Sequence, residues 1–350
     1  MLQEILKKAQ KELCSDIHIS GNEKVLFRKD GRLISYSDVI MSSEQALSVV
    51  HDLLNTDAFE TYTKGKDIDA AYTDSESNRY RLNIYRQRGV PAMAIRLLRR
   101  SIPTLEELKL PDILSKLAML PRGLVLLTGP TGSGKSTTLA AMIDHINRNR
   151  SVHILTLEDP VEYIHTPKMG MIHQREIHTD VTDFASALRS ALREDPDVIL
   201  VGEMRDHETI ALALTAAETG HLVLSTLHTT GAASTIDRII DVFPPHQQGQ
   251  IRTQLASSLQ GVVSQDLVQL EGGGRIAAHE IMIMTDAIGN LIRENKIVQI
   301  NSAIQTGMRM GMCTLDGSLA NLIRKNLISM DTALEYTDNP EALKRLLQNY

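Results

Sequence analysis

The spacing of apolar positions changes along the chain, and the first hundred residues mix two patterns. Short alternating runs of apolar and polar residues, which are typical of half-buried strands, stand between segments of helical periodicity. The elements that these patterns predict are strands at 17–19, 25–28, 80–85 and 92–98 and helices at 1–13 and 43–54. This mixture indicates a small α+β domain.

Beyond residue 112 the pattern becomes more regular, because continuous apolar runs of strand length alternate with stretches of helical periodicity. The predicted strands are 124–128, 153–157, 198–202 and 222–226. Strands that alternate with helices imply a parallel sheet with right-handed crossover connections. Past Glu280 the periodicity is helical, and the predicted helices are 287–295, 299–307, 315–325 and 341–348.

Pro103 and Pro111 bracket the segment between these parts, which favours a linker there. At 350 residues the chain is long enough for about two domains with separate cores. The expected divisions are an N-terminal domain at 1–100, a linker at 101–112, an α/β core at 113–285 and a helical C-terminal region at 286–350.

The composition is ordinary for a globular protein, with 42% apolar and 23% charged residues. A net charge of −6 gives no general attraction to nucleic acids. Tryptophan is absent and aromatic residues make up 3%, so platforms for stacking single-stranded bases are scarce. No nucleic-acid partner is therefore expected.

Cysteine content and hydropathy indicate a cytosolic protein. Cys14 and Cys313 are the only cysteines, which excludes a four-cysteine zinc site and favours a reducing compartment. No apolar run approaches the roughly 20 residues that a bilayer-spanning helix needs. Residues 1–13 lack the apolar region of a secretory signal. We expect no integral membrane segment.

The candidate chemistry begins with a P-loop. Residues 129–136 match G-x-x-x-x-G-K-[ST] and stand between a predicted strand and a predicted helix, where backbone N–H groups hold nucleotide phosphates. Lys135 would reach the β- and γ-phosphates, and the Ser136 hydroxyl group would ligate Mg²⁺. The predicted nucleotide-binding residues here are Gly129, Pro130, Thr131, Gly132, Ser133, Gly134, Lys135, Ser136 and Thr137.

Acidic residues follow two more predicted strands, at the ends where ligands bind in doubly wound sheets. Glu203 follows the apolar run 198–202, as expected of an acid that holds Mg²⁺ through water or polarises an attacking water. Glu158, Asp159 and Glu162 follow another strand and suit the positioning of metal and water, with a solvated turn as the alternative. We include Glu158 among the nucleotide-binding residues.

Histidines stand at both ends of the predicted strand 222–226. His221 precedes this strand and His228 follows it. In a P-loop protein this arrangement favours a sensor of phosphate, with a structural role as the alternative, and we include His221 among the nucleotide-binding residues.

Taken together, these segments resemble the secretion-ATPase superfamily, the motors of type IV pili and type II secretion. Four boxes of that superfamily occur in order: Walker A at 129–136, the aspartate box at 154–163, Walker B at 192–203 and the histidine box at 215–229. Residues 15–20 also resemble the signature of the superfamily's N-terminal domain. The resemblance covers nearly the whole chain.

Within the superfamily, the chain is most similar to the type IV pilus retraction (PilT-type, twitching motility) ATPases. It is short and lacks the tetracysteine zinc element of the pilus-extension and type II secretion ATPases. Residues 278–282, Ala-His-Glu-Ile-Met, precede a segment at 287–294 that resembles the retraction family's motif Ala-Ile-Arg-Asn-Leu-Ile-Arg-Glu. Gly289 stands where that motif has its first arginine.

The resemblance implies an α/β fold in which a RecA-like P-loop NTPase core joins a smaller PAS-like α+β N-terminal domain and a helical C-terminal region. It implies a hexameric ring that hydrolyses ATP with Mg²⁺ and drives the disassembly of type IV pili. The implied partners are other copies of the chain, an inner-membrane pilus platform protein and a paralogous retraction ATPase. Such a motor would be cytoplasmic and peripheral at the inner face of the bacterial inner membrane.

The resemblance also implies roles for individual residues. Glu162 and Glu203 correspond to acids that position or activate water, and His228 to a residue that reads the γ-phosphate region. Arg81 and Arg96 match arginines of the N-terminal domain that reach a bound nucleotide, where a guanidinium group stabilises transferring phosphate. Without the resemblance, each arginine would be assigned to a salt bridge on a strand face.

Three alternatives remain open. An extension or secretion ATPase is disfavoured because its zinc cysteines are missing. An accessory subunit that joins a ring and hydrolyses ATP slowly is compatible with Gly289, although Lys135, Glu162 and Glu203 are all present. A RecA-like motor acting on nucleic acid conflicts with the net charge and the scarcity of aromatic residues.

Overall fold

The computed structural model describes residues 1–29, 32–76, 78–98, 101–337 and 339–348. The chain divides into two compact units. The N-terminal unit comprises Met1–Ser101 and the short segment Glu162–Ile164, and the second unit comprises Ile102–Val161 and the chain from His165 onward. No helix within the described ranges is long and apolar enough to cross a membrane.

The N-terminal unit is an antiparallel sheet packed against helices. Its strands are β1 Asp16–Ser20, β2 Glu23–Lys29, β3 Arg32–Met41, β4 Ile68–Thr73, β5 Arg79–Gln87 and β6 Val90–Leu97, and its helices are α1 Leu2–Lys11, α2 Ser43–Leu53 and α3 Thr56–Thr63. The described strands pair in the order β3-β2-β1-β6-β5-β4. Ile17 and Ile19 of β1 are buried in the core that the sheet forms with the helices. Asp16 and His18, which alternate with them along the strand, are half-buried. Because side chains alternate across a strand, the second face of the sheet is polar.

A mainly parallel sheet forms the centre of the second unit. Its strands are β7 Gly123–Thr128, β8 His153–Glu158, β9 Met171–Glu176, β10 Val198–Val201, β11 Leu222–Leu227, β12 Leu259–Gln269 and β13 Arg275–Ile283. Their order is β13-β12-β7-β11-β10-β8-β9, and β13 alone among these strands runs antiparallel to its neighbour. Every residue of β7 and β11 is buried, as expected of central parallel strands covered on both faces.

Helices cover both faces of this sheet and continue to the C-terminal end of the described chain. They are α4 Ile113–Ala118, α5 Lys135–Asn149, α6 Phe184–Ala191, α7 His207–Glu218, α8 Ala232–Asp241, α9 Pro245–Ser258, α10 Asp286–Arg293, α11 Ile300–Thr306, α12 Leu315–Arg324, α13 Met330–Leu334 and α14 Pro340–Gln348. Val125 and Leu127 of β7 pack with α5, whereas Leu124 and Leu126 join the core on the other face.

Side-chain caps determine where several of the helices begin. Ser42 and Gln45 form a capping box at the start of α2. Asp206 accepts a hydrogen bond from the backbone of Thr209 at the start of α7, and Thr285 caps α10 in the same way. Each cap supplies an acceptor for an N–H group that has no partner within its helix.

The α/β class predicted from the alternation of strands and helices is confirmed. The predicted strands of the core overlap β7, β8, β10 and β11, whereas β9, β12 and β13 were not predicted. β9 lies at an edge and is largely polar, and Ser264 and Gln265 interrupt the apolar run of β12. The omitted strands are therefore those in which charged, amide or imidazole side chains interrupt the apolar residues, whereas the predicted strands have at most Ser or Thr between theirs.

Candidate nucleotide site

The P-loop predicted at 129–136 connects β7 to α5, at the C-terminal edge of a central parallel strand. The Lys135 side chain is buried. Its Nζ atom donates hydrogen bonds to the backbone oxygens of Gly129 at 2.8 Å and Pro130 at 2.9 Å. The ammonium group therefore lies inside the curve of the loop, where nucleotide phosphates would be held.

Backbone conformation and lack of space together require glycine at two positions of the loop. Gly129 has a φ of +134°, and a Cβ atom there would lie 2.2 Å from the backbone oxygen of Gln265. Gly134 has a φ of +89°, and a Cβ atom there would lie 2.9 Å from Nε2 of Gln265. The close approach of β12 behind the loop thus excludes side chains at both positions.

The other residues of the loop differ in exposure. The exposed residues are Pro130, Thr131, Gly132 and Ser136, the half-buried residue is Thr137, and the buried residue is Ser133. The loop leads into a helix of 15 residues, whose first N–H groups have no partner within the helix. N–H groups of this kind form an anion-binding site.

Glu203 and His228 meet at the same edge of the sheet. They follow β10 and β11, which are parallel neighbours, and Oγ1 of Thr226 donates to the Gly202 backbone oxygen at 2.6 Å, joining the two strand ends. One carboxylate oxygen of Glu203 lies 2.8 Å from Nη2 of Arg205, and the other lies 3.2 Å from Nε2 of His228. The fold thus brings together an acid and an imidazole that the sequence predicted separately.

The charge of Glu203 follows from its neighbours. Burial raises the pKa of its carboxyl group, but the hydrogen bonds and charges of Arg205 and His228 outweigh burial and hold the pKa below its ordinary value. The carboxylate is therefore ionised at neutral pH. An anionic group at the end of a central strand can orient water or a hydrated cation.

The acids at the end of β8 and after it have different surroundings. Oε1 of Glu158 accepts hydrogen bonds from Oγ1 of Thr156 at 2.6 Å and Nε2 of Gln174 at 3.2 Å, both within its own sheet. Glu162 is half-buried and begins the segment Glu162–Ile164, which belongs to the N-terminal unit. The nucleotide role of Glu158 and the catalytic role of Glu162 stay predictions.

His221 lies at the end of the sheet where the parallel strands begin, whereas the P-loop lies at the end where they finish. It precedes β11, and Leu222 at the start of β11 lies beside Gly123 at the start of β7. Its Nδ1 atom lies 2.9 Å from the Ala216 backbone oxygen, to which it donates, and its own backbone oxygen accepts from Gly123 at 3.0 Å. The length of a strand therefore separates His221 from the P-loop of its own chain, and its nucleotide-binding role stays a prediction.

Arg81 and Arg96 are cross-strand partners on β5 and β6. Arg96 also lies opposite Asp16 of β1, and its Nε atom donates to Oδ1 of Asp16 at 2.9 Å. Arg28 of β2 lies opposite Asp16 on the other side. The Arg96 side chain is 60% exposed, so this ion pair adds little stability and leaves the guanidinium group able to bind an anion. A role at the nucleotide stays a prediction for both arginines.

Burial lowers the pKa of both His165 and His279 to about 4. For His165, Asp144 opposes this effect and Lys168 adds to it. Both imidazoles are therefore neutral at neutral pH, and both remain neutral in mildly acidic solution as long as the protein is folded.

We expect the free energy of unfolding to fall as the pH decreases from 7.5 to 5. An unfolded histidine takes up a proton near pH 6.5, whereas each buried imidazole does so only near pH 4, so each contributes a loss of about 2 kcal/mol by pH 5. Urea unfolding across this range measures the slope. His165→Leu should flatten it and the same change at the exposed His246 should not; an unchanged slope in His165→Leu would contradict the assignment.

Comparison with known proteins agrees with this geometry. A family model described as Type II/IV secretion system protein matches residues 1–272. The type IV pilus retraction ATPase PilT of Pseudomonas aeruginosa is 48% identical over 340 residues, which is 97% of this chain and 99% of that protein. The type IV pilus ATPase PilU of the same organism is 36% identical over 95% of this chain and 88% of that protein.

A crystal structure of the pilus retraction motor PilT with bound ADP is also similar. It superimposes with a TM-score of 0.91 and 43% identity and covers 98% of each chain. The α/β P-loop core, the N-terminal domain and the C-terminal helices therefore form the secretion-ATPase fold. Because the family model matches most of the length of this chain, the chain belongs to the Type II/IV secretion system protein family.

Proposed function

We propose that this chain is a Mg²⁺-dependent ATPase that works as a hexameric ring and powers type IV pilus retraction. The observation that carries the proposal is the arrangement of a complete P-loop, His228 and Glu203 at the ends of the adjacent strands β7, β11 and β10. The 48% identity to a retraction ATPase over nearly the whole chain supports the specific task.

In this proposal ATP is the substrate, and hydrolysis depends on positioning and on stabilisation of charge. The N–H groups of the P-loop and the Lys135 ammonium group bind the phosphates. The ionised Glu203 orients or activates the attacking water, and Glu162 is the proposed second acid. Because an ionised carboxylate only accepts hydrogen bonds, Nε2 of His228 donates to Glu203 and fixes its orientation.

The residues at this site fit a magnesium ion. Mg²⁺ prefers oxygen ligands and usually keeps several waters, with one or two protein groups and the substrate phosphates completing its shell. The exposed Ser136 hydroxyl group and the anionic Glu203 carboxylate supply such oxygens, the second through water. Bound there, Mg²⁺ would neutralise charge on the β- and γ-phosphates.

We further propose that Arg81 and Arg96 bind phosphate oxygens in the assembled ring. The exposed ion pair of Arg96 with Asp16 is weak enough to exchange for a phosphate, which offers more charge and more acceptors. Arginines that bind a triphosphate more tightly than a diphosphate supply the differential affinity that a conformational switch requires. Hydrolysis would then change the position of the N-terminal domain and produce mechanical work.

The proposed partners do not follow from the site. Other copies of this chain and an inner-membrane pilus platform protein are proposed from the resemblance to retraction ATPases, and a PilU-like paralogue is proposed because PilU is similar to the chain. We propose that the motor is cytoplasmic and acts at the inner face of the bacterial inner membrane.

A second candidate is an accessory subunit of a retraction ring, and Gly289 favours it. Gly289 is buried in α10, and a Cβ atom there would lie 3.5 Å from Nη1 of Arg293 and 3.6 Å from the Ala256 backbone oxygen. These are ordinary van der Waals distances, so neither space nor backbone conformation requires glycine. The absence of the motif's arginine is therefore not imposed by the fold at the level of a Cβ atom, and it is the observation that favours a subunit with a modified task.

Deletion of the gene tests the direction of the motor. If the chain powers retraction, the deletion strain should carry more surface pili than the parent and should not twitch. Loss of surface pili would instead indicate extension, and normal piliation with weakened twitching would indicate the accessory role. ATPase rates with and without single-stranded DNA test the remaining alternative, since stimulation of about tenfold or more would indicate a nucleic-acid motor.

A further inference from the structure

Two adjacent residues on β12 and two on β13 form pairs, and each pair bonds to one loop of the candidate site. Ser264 lies opposite Glu280, and Gln265 lies opposite His279, in the antiparallel pairing of these strands. Adjacent residues of a strand point to opposite faces of a sheet, whereas cross-strand partners share a face. The two pairs therefore act on opposite sides, and each reaches a different loop.

The Gln265–His279 pair supports the P-loop from behind. Nε2 of Gln265 donates to the Ser133 backbone oxygen at 2.6 Å, which directs Oε1 of Gln265 towards Oγ1 of Thr138 at 2.9 Å and Nε2 of His279 at 3.2 Å. An amide oxygen only accepts, so the threonine and the imidazole both donate to it. All four residues are buried. Because the imidazole is neutral, one N–H group is available for this bond and a second positive charge is not placed near Lys135.

The Ser264–Glu280 pair supports the loop that carries His228. The backbone N–H of Gly231 donates to Oγ of Ser264 at 2.9 Å, and that of Ala232 donates to Oε1 of Glu280 at 2.8 Å. Both N–H groups stand at the start of α8 and have no partner within the helix. These bonds hold the end of the short loop 228–231, and His228 at the start of that loop contacts Glu203.

We propose that Ser264, Gln265, His279 and Glu280 are positioning residues for ATP hydrolysis, the Gln265–His279 pair acting on phosphate binding and the Ser264–Glu280 pair on turnover. The inference rests on the proposed function, because it assigns supporting parts to the same site. The physical basis is that a buried backbone group without a partner is costly, so removal of its partner shifts the loop.

The same strand pair connects these loops to the C-terminal helices. The backbone N–H of His279 donates to Oγ of Ser318 in α12 at 3.1 Å, and its backbone oxygen accepts from Sγ of Cys313 at 3.4 Å. Ile281 and Cys313 also exchange backbone hydrogen bonds. This accounts for the Ala-His-Glu-Ile-Met segment: its second and third residues reach opposite faces, and its backbone is held by the C-terminal region.

ADP affinity and steady-state ATP hydrolysis of the full chain test the proposal. Gln265→Leu should raise the Kd for ADP and the KM for ATP about tenfold, with kcat changed less than about threefold. Ser264→Ala and Glu280→Ala should instead lower kcat about tenfold, with the Kd for ADP within about threefold of wild type. The matched control is Gln269→Leu, the same change at an exposed position of the same strand, which should alter neither.

A conservative variant separates positioning from folding. His279→Leu should weaken ADP binding as Gln265→Leu does, whereas His279→Gln should restore it, because its amide can donate where the imidazole Nε2 does. The proposal would be overturned if KM and kcat changed together in every variant and in proportion to its loss of thermal stability. Unchanged ADP affinity in Gln265→Leu would also overturn it. If wild type binds ADP but does not hydrolyse ATP, the proposed function fails, while ADP affinity still decides the role of Gln265.

Discussion

Replacement of Glu203 by glutamine should lower ATP turnover by about 10²–10⁴-fold, the usual contribution of a general base, and leave nucleotide affinity within about threefold. Glutamine has the same shape and keeps one oxygen for His228, but it is neutral and cannot accept a proton from water. The phosphates are bound elsewhere, by Lys135 and the N–H groups of the P-loop. The ionised state of Glu203, which Arg205 and His228 maintain against burial, is therefore the property that the substitution removes.

Phosphate release and titration with ADP measure the two quantities separately. The matched control is Glu218→Gln at the end of α7, where the carboxylate accepts hydrogen bonds from Gln254 and Ser257 at 3.1 and 3.2 Å. Glu218 lies beside Gly123 at the start of β7, away from the P-loop, so its neutralisation should leave turnover unchanged. Wild-type turnover in Glu203→Gln would refute the catalytic role, and an equal loss of ADP affinity would assign Glu203 to nucleotide binding instead.

The P-loop and the strands around it could be predicted because their signals are local. β7 and β11 are buried along their whole length and contain the apolar runs 124–127 and 222–224, and the loop needs glycine and lysine at set positions. Glu203 and His228 were each identified because they stand just after a predicted strand, although their contact was not predicted. Parallel strands bring such positions to one edge of the sheet.

The supports behind the P-loop could not be predicted, because their signals are not local. Gln265 and Ser133 are 132 residues apart, and nothing near either residue indicates the other. Ser264 and Gln265 of β12, which bond to the loops, also interrupt the apolar run by which that strand could have been predicted. His221 also stands close to a predicted strand, but it precedes that strand. The start and the end of a parallel strand lie at opposite ends of the sheet, so closeness in sequence to β11 did not place His221 near the P-loop of its own chain.

The N-terminal arginines illustrate a third case. A salt bridge on a strand face was the alternative for each arginine, and Arg96 makes one, but its partner could not be predicted. Asp16 lies 80 residues from Arg96 in sequence. It nevertheless neutralises part of the charge of the arginine row, which consists of Arg28, Arg96 and Arg81 on neighbouring strands. Like charges on cross-strand positions repel each other, so Asp16 makes the adjacency of Arg81 and Arg96 tolerable. An anionic phosphate near the same row would take over that function.

Replacement of Lys135 by alanine should weaken ADP and ATP binding by about 100-fold, because hydrogen bonds between charged groups contribute about 1.5–3 kcal/mol each. The buried ammonium group is the cation inside the loop, and its two bonds to the Gly129 and Pro130 oxygens also hold the loop in shape. Calorimetric titration with ADP measures the loss. Lys116→Ala, which removes an exposed lysine of α4, should bind ADP as wild type does.

The same variant links the site to the proposed task in cells. In the deletion strain, the Lys135→Ala gene should fail to restore twitching and should leave the surplus of surface pili in place, whereas Lys116→Ala should restore both. Expressed beside the wild-type gene, Lys135→Ala should also reduce twitching, because copies that cannot bind ATP would enter the same ring and interrupt its cycle. Full complementation by Lys135→Ala would show that retraction does not depend on this P-loop. Loss of function in the deletion strain without any effect on wild type would count against a shared ring.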